Sequence, residues 1–395
     1  MQFSLTELQN EIKENAQKLL SEKVDLLELI KKVDDNTRID NELWQLVSEQ
    51  GWLGLDVPEE DGGLGFSKVD SSILSEVFGY YMPIVPIFSS GVVFKQLLLH
   101  SPSELKNKIL PEIVSGSKIG SFGIYENDRY EINDENISTV VENNDNGYIL
   151  NGKKSYVMFG DTSDYFAILA KSEDGFKFIM VDKDNPGVTI SETTSLDQTR
   201  PMAEILLENV EVGNENFMFD IKEDENIWNK VKHISISFLA MEQVGGAQAC
   251  LDMSTQYAKE RIHNCGLNEK VNIQIKDYRD LKDKYNSIAS IEMIEAVGQN
   301  YLQSYFKTIK ENLANSGTAA IQAITIDDNL FDRYKNKQDF IQKYIFPGGF
   351  LPSKNSLNKH VSENDLTIKS YDSYADHYSS TLALWRNEFN KKWDL

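Results

Sequence analysis

MEQVGGAQACLDMSTQYAKERI (241–262) closes a helical run that starts at Val231, is long and is mostly apolar on one face. The chain follows different patterns on its two sides. Upstream lie short β-rich runs: GYILNGKKSYVMFG (147–160), DYFAILAKS (164–172), KFIMVDKD (177–184) and AEILLENVEV (203–212). Asn-Gly, Asp-Gly and Pro-Gly turns bound them, and short strands at this spacing predict a small barrel or sandwich over 118–222. Further upstream, residues 1–117 are helical. Leu5, Leu8, Ile12, Ala16, Leu19 and Leu20 keep a helical period, with Ser4 or Thr6 as N-cap. A second helix covers about 40–50 and ends at Gly51, before the loop LGLDVPEEDGGLG (53–65). Further helices are expected over about 68–80, 87–100 and 103–115. Downstream, VNIQIKDY (271–278), YNSIASIEM (285–293) and TAAIQAITI (318–326) read as buried strands. The amphipathic helix NYLQSYFKTIKENLA (300–314) lies between the last two, and TLALWRNEFNKKW (381–393) is again helical. Strand and helix in alternation predict a parallel sheet. The expected fold is therefore α+β followed by α/β. A helical domain (1–117), a β domain (118–222), a long helix (223–262) and an incomplete doubly wound sheet (263–395) follow one another.

The 395 residues carry 40 Lys+Arg against 62 Asp+Glu, a net charge of −22. Such a surface repels a phosphate backbone and excludes non-specific nucleic-acid binding. With 41% apolar and 10% aromatic residues the chain can bury real cores. The cysteines, Cys250 and Cys265, are too few for a disulfide scaffold or an all-cysteine metal site. Cys250 is expected to be a buried small apolar residue, and the histidines have no metal-ligand spacing. The N-terminus lacks the basic-then-apolar pattern of a signal peptide, and no run approaches the ~20 apolar residues of a membrane span. A cytoplasmic protein is expected. The charge is uneven: residues 261–395 hold 18 Lys+Arg and 17 Asp+Glu, so the first 260 hold 22 and 45. That break points to two parts of separate origin.

The first part resembles the acyl-CoA dehydrogenase family. LGLDVPEEDGGLG (53–65) is similar to that family's loop between early helices. NGKKSYVMFGDTSDYFAILAKS (151–172) is similar to its β-domain hairpin, and MEQVGGAQACLDMSTQYAKER (241–261) to the first helix of its C-terminal helical domain. The resemblance covers about 1–262. It implies FAD, an acyl-CoA partner, α,β-dehydrogenation of the thioester, and homo- or hetero-oligomers through the helical domain. It places Tyr125 and Glu126 in the strand that contacts flavin and substrate. Tyr156 and Val157 stand where ring and backbone cover the isoalloxazine. Of the arginine-led word that reaches a neighbouring subunit's flavin only Arg261 survives; Ile262-His263-Asn264-Cys265 do not fit it. ENDRYEIND (126–134) replaces the family's Gly-Ala-Gly-Ser phosphate turn, which weakens the flavin site. The helices that supply the catalytic base have no counterpart, so no base is assigned and impaired dehydrogenation is expected.

Residues 271–385 resemble the cyclopropane-fatty-acyl-phospholipid synthases. The matching words are KDYRDL (276–281), IASIEMIEAVG (288–298), YFKTIKENL (305–313), IQAITI (321–326), FIQKYIFPGGFLPS (340–353) and HYSSTLALWRNEF (377–389). The resemblance implies methyl transfer from S-adenosylmethionine to an unsaturated lipid chain, with a bicarbonate ion as base and a phospholipid surface as partner. Glu295 and Tyr378 would position the bicarbonate, Gln322 stands where the family has histidine, and Tyr278 would lie near the adenine. The Gly-rich turn that receives S-adenosylmethionine has no counterpart upstream. The sheet order expected for this fold puts the first two strands between the third and fourth. Without them, the backbone of 271–278 has no neighbour to bond. The alternatives to an impaired dehydrogenase are thus lipid methyl transfer, or a hybrid chain with neither activity.

Overall fold

A computed structural model describes residues 5–391 apart from 128–130, 134, 223 and 347. Two compact units divide the chain, Met1–Asn268 and Glu269–Leu395.

The first unit opens with helices. Helix α1 (Glu7–Lys23) is capped by Thr6, whose side chain accepts from Gln9 N while Gln9 Oε1 accepts from Thr6 N. Ser4 lies outside the described residues. Ile12, Ala16 and Leu20 form the buried face of α1. Helix α2 (Leu26–Asp34), capped by Asp25, has no counterpart in the sequence reading. Helix α3 (Asn41–Glu49) ends before Gly51, whose φ of +71° suits glycine. Helix α4 (Lys68–Tyr81) follows, then a fully buried wide-turned stretch, Ser89–Phe94. That stretch runs into α5 (Lys95–Leu99), and α6 (Ser103–Val114) completes the set. Asp56, in the loop after α3, is buried with Lys95, whose ammonium lies 2.5 Å from it and 2.8 Å from Leu53 O.

Eight strands follow: β1 (Gly120–Gly123), β2 (Val140–Asn144), β3 (Gly147–Met158), β4 (Tyr165–Ser172), β5 (Gly175–Asp182), β6 (Val188–Thr193), β7 (Met202–Gly213) and β8 (Phe217–Asp220). They form one sheet in the order β6-β7-β3-β2-β4-β5-β8, with β1 paired to β4. One apolar cluster lies within the sheet around Leu150, Val157, Phe166, Ile179 and Ile205. A second joins sheet to helices through Phe94, Leu97, Phe178, Phe219 and Phe238.

Helix α7 (Glu225–Asn264) has 40 residues. It crosses α4 closely: a Cβ built on Gly79 would lie 1.9 Å from Glu242 O, and one on Gly245 would lie 1.8 Å from Glu76 O. Val231, Phe238, Gly245 and Ala249 are its buried positions, while Ile236, Val244, Met253 and Tyr257 are at least half exposed. Cys250 is exposed as well, which corrects its expected burial. The helix buries only the face it turns to α4 and the β domain.

The second unit is an open α/β fragment. Strands β9 (Tyr285–Ile291) and β10 (Leu313–Gln322) pair in parallel, joined through α8 (Leu302–Asn312). Helix α8 buries Leu302, Tyr305, Phe306 and Ile309 against Ile294, Phe350 and Leu357. Helices α9 (Asp328–Tyr334), α10 (Lys354–Glu363) and α11 (Ala375–Lys391) follow, and no described residue of α11 is buried. The expected strand 271–278 is absent: 271–277 join no sheet and Tyr278 opens a short 3-10 turn. Its alternating apolar residues satisfy the strand pattern, but without a flanking strand its amides have nothing to bond but water.

Candidate functional site

Among the described residues of the first unit, two structures meet where the resemblance puts the flavin: the segment after β1, and the C-terminal end of β3. A buried ion pair ties them together. Lys154 Nζ lies 2.6 Å from Glu126 Oε1 and 3.3 Å from Ile124 O. Glu126 also accepts from Ser138 N (2.7 Å), the Ser138 hydroxyl and Thr139 N (3.0 Å). Both its oxygens are therefore taken by the protein, and the side chain points inward. Burial alone would raise the Glu126 carboxyl, but the Lys154 ammonium and the Ser138 bonds outweigh it and hold the group down at about 2. Burial pulls the Lys154 ammonium to about 8 in spite of its partner. Tyr125 packs at the edge of the core shared by sheet and helices, and its carbonyl accepts from Ser155 N at 2.9 Å.

The end of β3 carries a bulge. Lys154 pairs with Ile205 and Val157 with Ala203, so β3 spends one more residue than β7 across the same interval. Tyr156 absorbs it with φ of +56°, and Phe159 follows at +54°. Neither is glycine, and such conformations persist only when neighbours hold them. The bulge turns Tyr156 outward, 39% exposed, while Val157 beside it is fully buried in the sheet core. Only the backbone of Val157 can face a ligand. Ser121 Oγ donates to Met158 O (2.6 Å), Phe159 N to Pro201 O (2.6 Å) and Ser163 Oγ to Phe159 O (2.8 Å). An outward ring beside a rigid backbone step fits one face of an isoalloxazine. Residues 128–130 and 134 of the divergent phosphate word lie outside the described residues. Arg261 is exposed in the last turn of α7.

In the second unit the structure brings Glu295, Gln322 and Tyr378 together, around a residue that sequence reasoning missed. Glu292 accepts from Gln322 Nε2 at 2.9 Å and from the Tyr378 hydroxyl, and Gln322 Nε2 is 3.4 Å from that hydroxyl. Glu292 sits at φ of +50°, and its own N–H donates to Gln322 O at 3.0 Å. Glu295 Oε1 accepts from Ile324 N at 2.6 Å, while its Oε2 is buried without a hydrogen-bond partner. The bond to Glu292, with some burial, raises the Tyr378 phenol above its ordinary value. Tyr278 lies apart from this group, its ring 5.9 Å from that of Tyr305. The signal for Glu292 was present in IASIEMIEAVG, three residues before Glu295. The signal for Lys154 lay in NGKKSY; neither carries a pattern that distinguishes it from an exposed charge.

Comparison with known proteins also divides the chain, with the C-terminal match beginning inside α7. The N-terminal domain of acyl-CoA dehydrogenase matches residues 6–117, and the middle domain matches 122–210. Mycolic acid cyclopropane synthetase matches 240–395. Tuberculostearic acid methyltransferase UfaA1 of Mycobacterium tuberculosis is 38% identical over 138 residues, 35% of this chain and 32% of that protein. A probable acyl-CoA dehydrogenase of Bacillus subtilis is 29% identical over 230 residues, 55% of this chain and 38% of that protein. The chain thus spans less than two fifths of the length of either relative. Glutaryl-coenzyme A dehydrogenase, solved with glutaryl-CoA, superposes with a TM-score of 0.60 at 23% identity, over 65% of this chain and 68% of that one; it shows the fold. No described helix is long and apolar enough to cross a membrane. The chain joins acyl-CoA dehydrogenase N-terminal and middle domains to a cyclopropane synthetase-like C-terminal segment.

Proposed function

We propose that the first unit is an acyl-CoA dehydrogenase-like flavoprotein module that holds FAD against an acyl-CoA thioester. The observation that carries this reading is the bulge at Tyr156, which presents an exposed ring and a fixed backbone step at the position where the family covers its flavin. Bound FAD would supply the acceptor for a hydride from the β carbon of the thioester. The chain's own part is to bind and orient. Tyr156 covers one face of the ring, the Val157 backbone sets its height, and Tyr125 lines the approach. Glu126 acts at one remove by welding that strand end to Lys154. No residue is assigned as the base for the α proton, so dehydrogenation by this chain alone is impaired, and Arg261 serves an oligomer partner's flavin. Fluorescence titration of the full chain with FAD tests the reading. Quenching with saturation supports it; a titration with no binding at millimolar FAD removes it.

A second reading concerns the C-terminal segment, and the convergence of Glu295, Gln322 and Tyr378 from three separate segments favours it. That group is the anion-holding side of a lipid-modifying methyltransferase site, with a phospholipid as its substrate class. The residues present do not fit S-adenosylmethionine: among the described residues of this unit no strand precedes β9, so no strand-to-helix turn is available for the methionine end. No methyl-transfer step is derived. Calorimetry with S-adenosylmethionine is expected to show no heat of binding; a saturable signal would restore the enzyme reading of this segment.

A further inference from the structure

Arg38 lies between α2 and α3, outside every motif that carries a resemblance. Its guanidinium forms a fork on Asp161: Nε is 2.6 Å from Oδ2 and one terminal nitrogen is 3.2 Å from Oδ1. The same terminal nitrogen donates to Met202 O at 2.8 Å. Both side chains are largely buried, 20% and 14% exposed. The two acceptors flank the bulge: Asp161 lies in the turn that leaves β3, and Met202 opens β7. Asp161 follows Phe159 by two residues, and Met202 pairs with Met158 across the ladder. Arg38 therefore bridges the two sides of the bulge from the helical domain.

Phe159 also packs on Leu29 and Ile84 of the helical domain, an apolar contact that sets no direction for the backbone, and Ser121, Ser163 and Pro201 add hydrogen bonds within the β domain. These hydrogen bonds fix the course of the backbone within the β domain, and Arg38 adds a directional polar tie from the helical domain. Two left-handed non-glycine residues three positions apart store strain that a loose turn would release by flattening. A planar fork is suited to oppose this, because it fixes a carboxylate bidentately and still has a donor for a carbonyl; a lysine would hold one point only.

We propose that Arg38 is the positioning residue of the flavin platform: it holds the Tyr156–Phe159 bulge in its left-handed form and so sets the affinity for the isoalloxazine. This rests on the flavin reading above and adds to it a residue that never touches the flavin. Two measurements on the full chain separate the claims. Hydrogen exchange without flavin, read on peptides over 156–163, is expected to quicken about tenfold or more in Arg38→Ala, and also in Arg38→Lys, with peptides over 147–153 unchanged. Unchanged exchange at 156–163 overturns the proposal whether or not flavin binds. FAD titration is expected to weaken about tenfold or more in both variants while the thermal midpoint of Arg38→Lys stays near the parent's. If the parent binds FAD and both variants bind it equally well, the proposal fails. If the parent binds none, the flavin reading itself fails, and the claim that Arg38 sets flavin affinity falls with it. Should Arg38→Ala not fold, Arg38→Lys decides each arm.

Discussion

Lys154 and Glu126 stand 2.6 Å apart, with 0% and 2% of their side chains exposed, so each is the other's substitute for water. Removing one partner leaves a buried charge without its counter-ion. Lys154→Met is therefore expected to cost about 3–5 kcal/mol in denaturant unfolding, and Glu126→Gln the lower end of that range because its hydrogen bonds can survive in part. A loss below about 1 kcal/mol in both would mean that water reaches the pair.

The same pair sets an acid limit. The Glu126 carboxyl is held at about 2 when folded, against 4.5 as its ordinary value. A carboxyl depressed by folding stabilises above its unfolded value, and that contribution fades as pH falls through 4.5 toward 2. Thermal melts between pH 5 and 2 should show a decline that Glu126→Gln flattens. Equal slopes in the two proteins would contradict the assignment.

Gly79 and Gly245 allow α4 and α7 to touch backbone to backbone. Since the atoms in the way are main-chain oxygens, no side chain can yield. Gly79→Ala or Gly245→Ala should destabilise by about 3 kcal/mol or more, or abolish folding of the first unit, whereas Gly246→Ala, whose Cβ meets only Gly79 O at 3.5 Å, should be tolerated. Equal effects at 245 and 246 would show that the helices separate easily.

In the second unit, Glu292→Gln should bring the Tyr378 phenol back toward its ordinary range, because the carboxylate is the first cause of its rise. Ultraviolet titration against a Tyr378→Phe control isolates the signal of this tyrosine. A titration curve unchanged by Glu292→Gln would place the Tyr378 hydroxyl elsewhere.

The two-stranded sheet of β9 and β10 should open well before the eight-stranded one. Amide exchange over 285–291 and 313–322 is expected to outpace that over 147–158 and 202–213. Equal protection would require partners for β9 and β10 that the unit itself does not hold.

Period and punctuation in the sequence carried much of the architecture. Gly51 marked the end of α3, the β runs marked the strands they became, and NYLQSYFKTIKENLA marked α8. What escaped depended on neighbours. VNIQI has the alternation of a strand, but a strand needs a ladder, and none is there. Cys250 reads as a core residue, but it lies with Val244 and Met253 among the exposed positions of α7. Helix α2 escaped because only Val24 and Asp25 separate it from α1, too little punctuation to notice. Family words put Tyr156, Glu295, Gln322 and Tyr378 forward as candidates. No such word points to Arg38, Lys154 or Glu292, which stand out only through bonds to residues 123, 28 and 30 positions away.

Strands β1 and β2 lie one after the other along the same edge of β4: Gly123 pairs with Ile168, and Val140 resumes at Lys171. The chain between them leaves that edge and returns to it almost where it left. Its ends are anchored by Tyr125 O on one side and by Thr139 O, which accepts from Lys171 N at 2.8 Å, on the other. Such a detour leaves the register of β1 and β2 to their own pairing with β4, so its sequence is constrained mainly where Ile132 and Ile137 pack into the core. A lineage could thus rewrite what this segment grips while keeping the sheet.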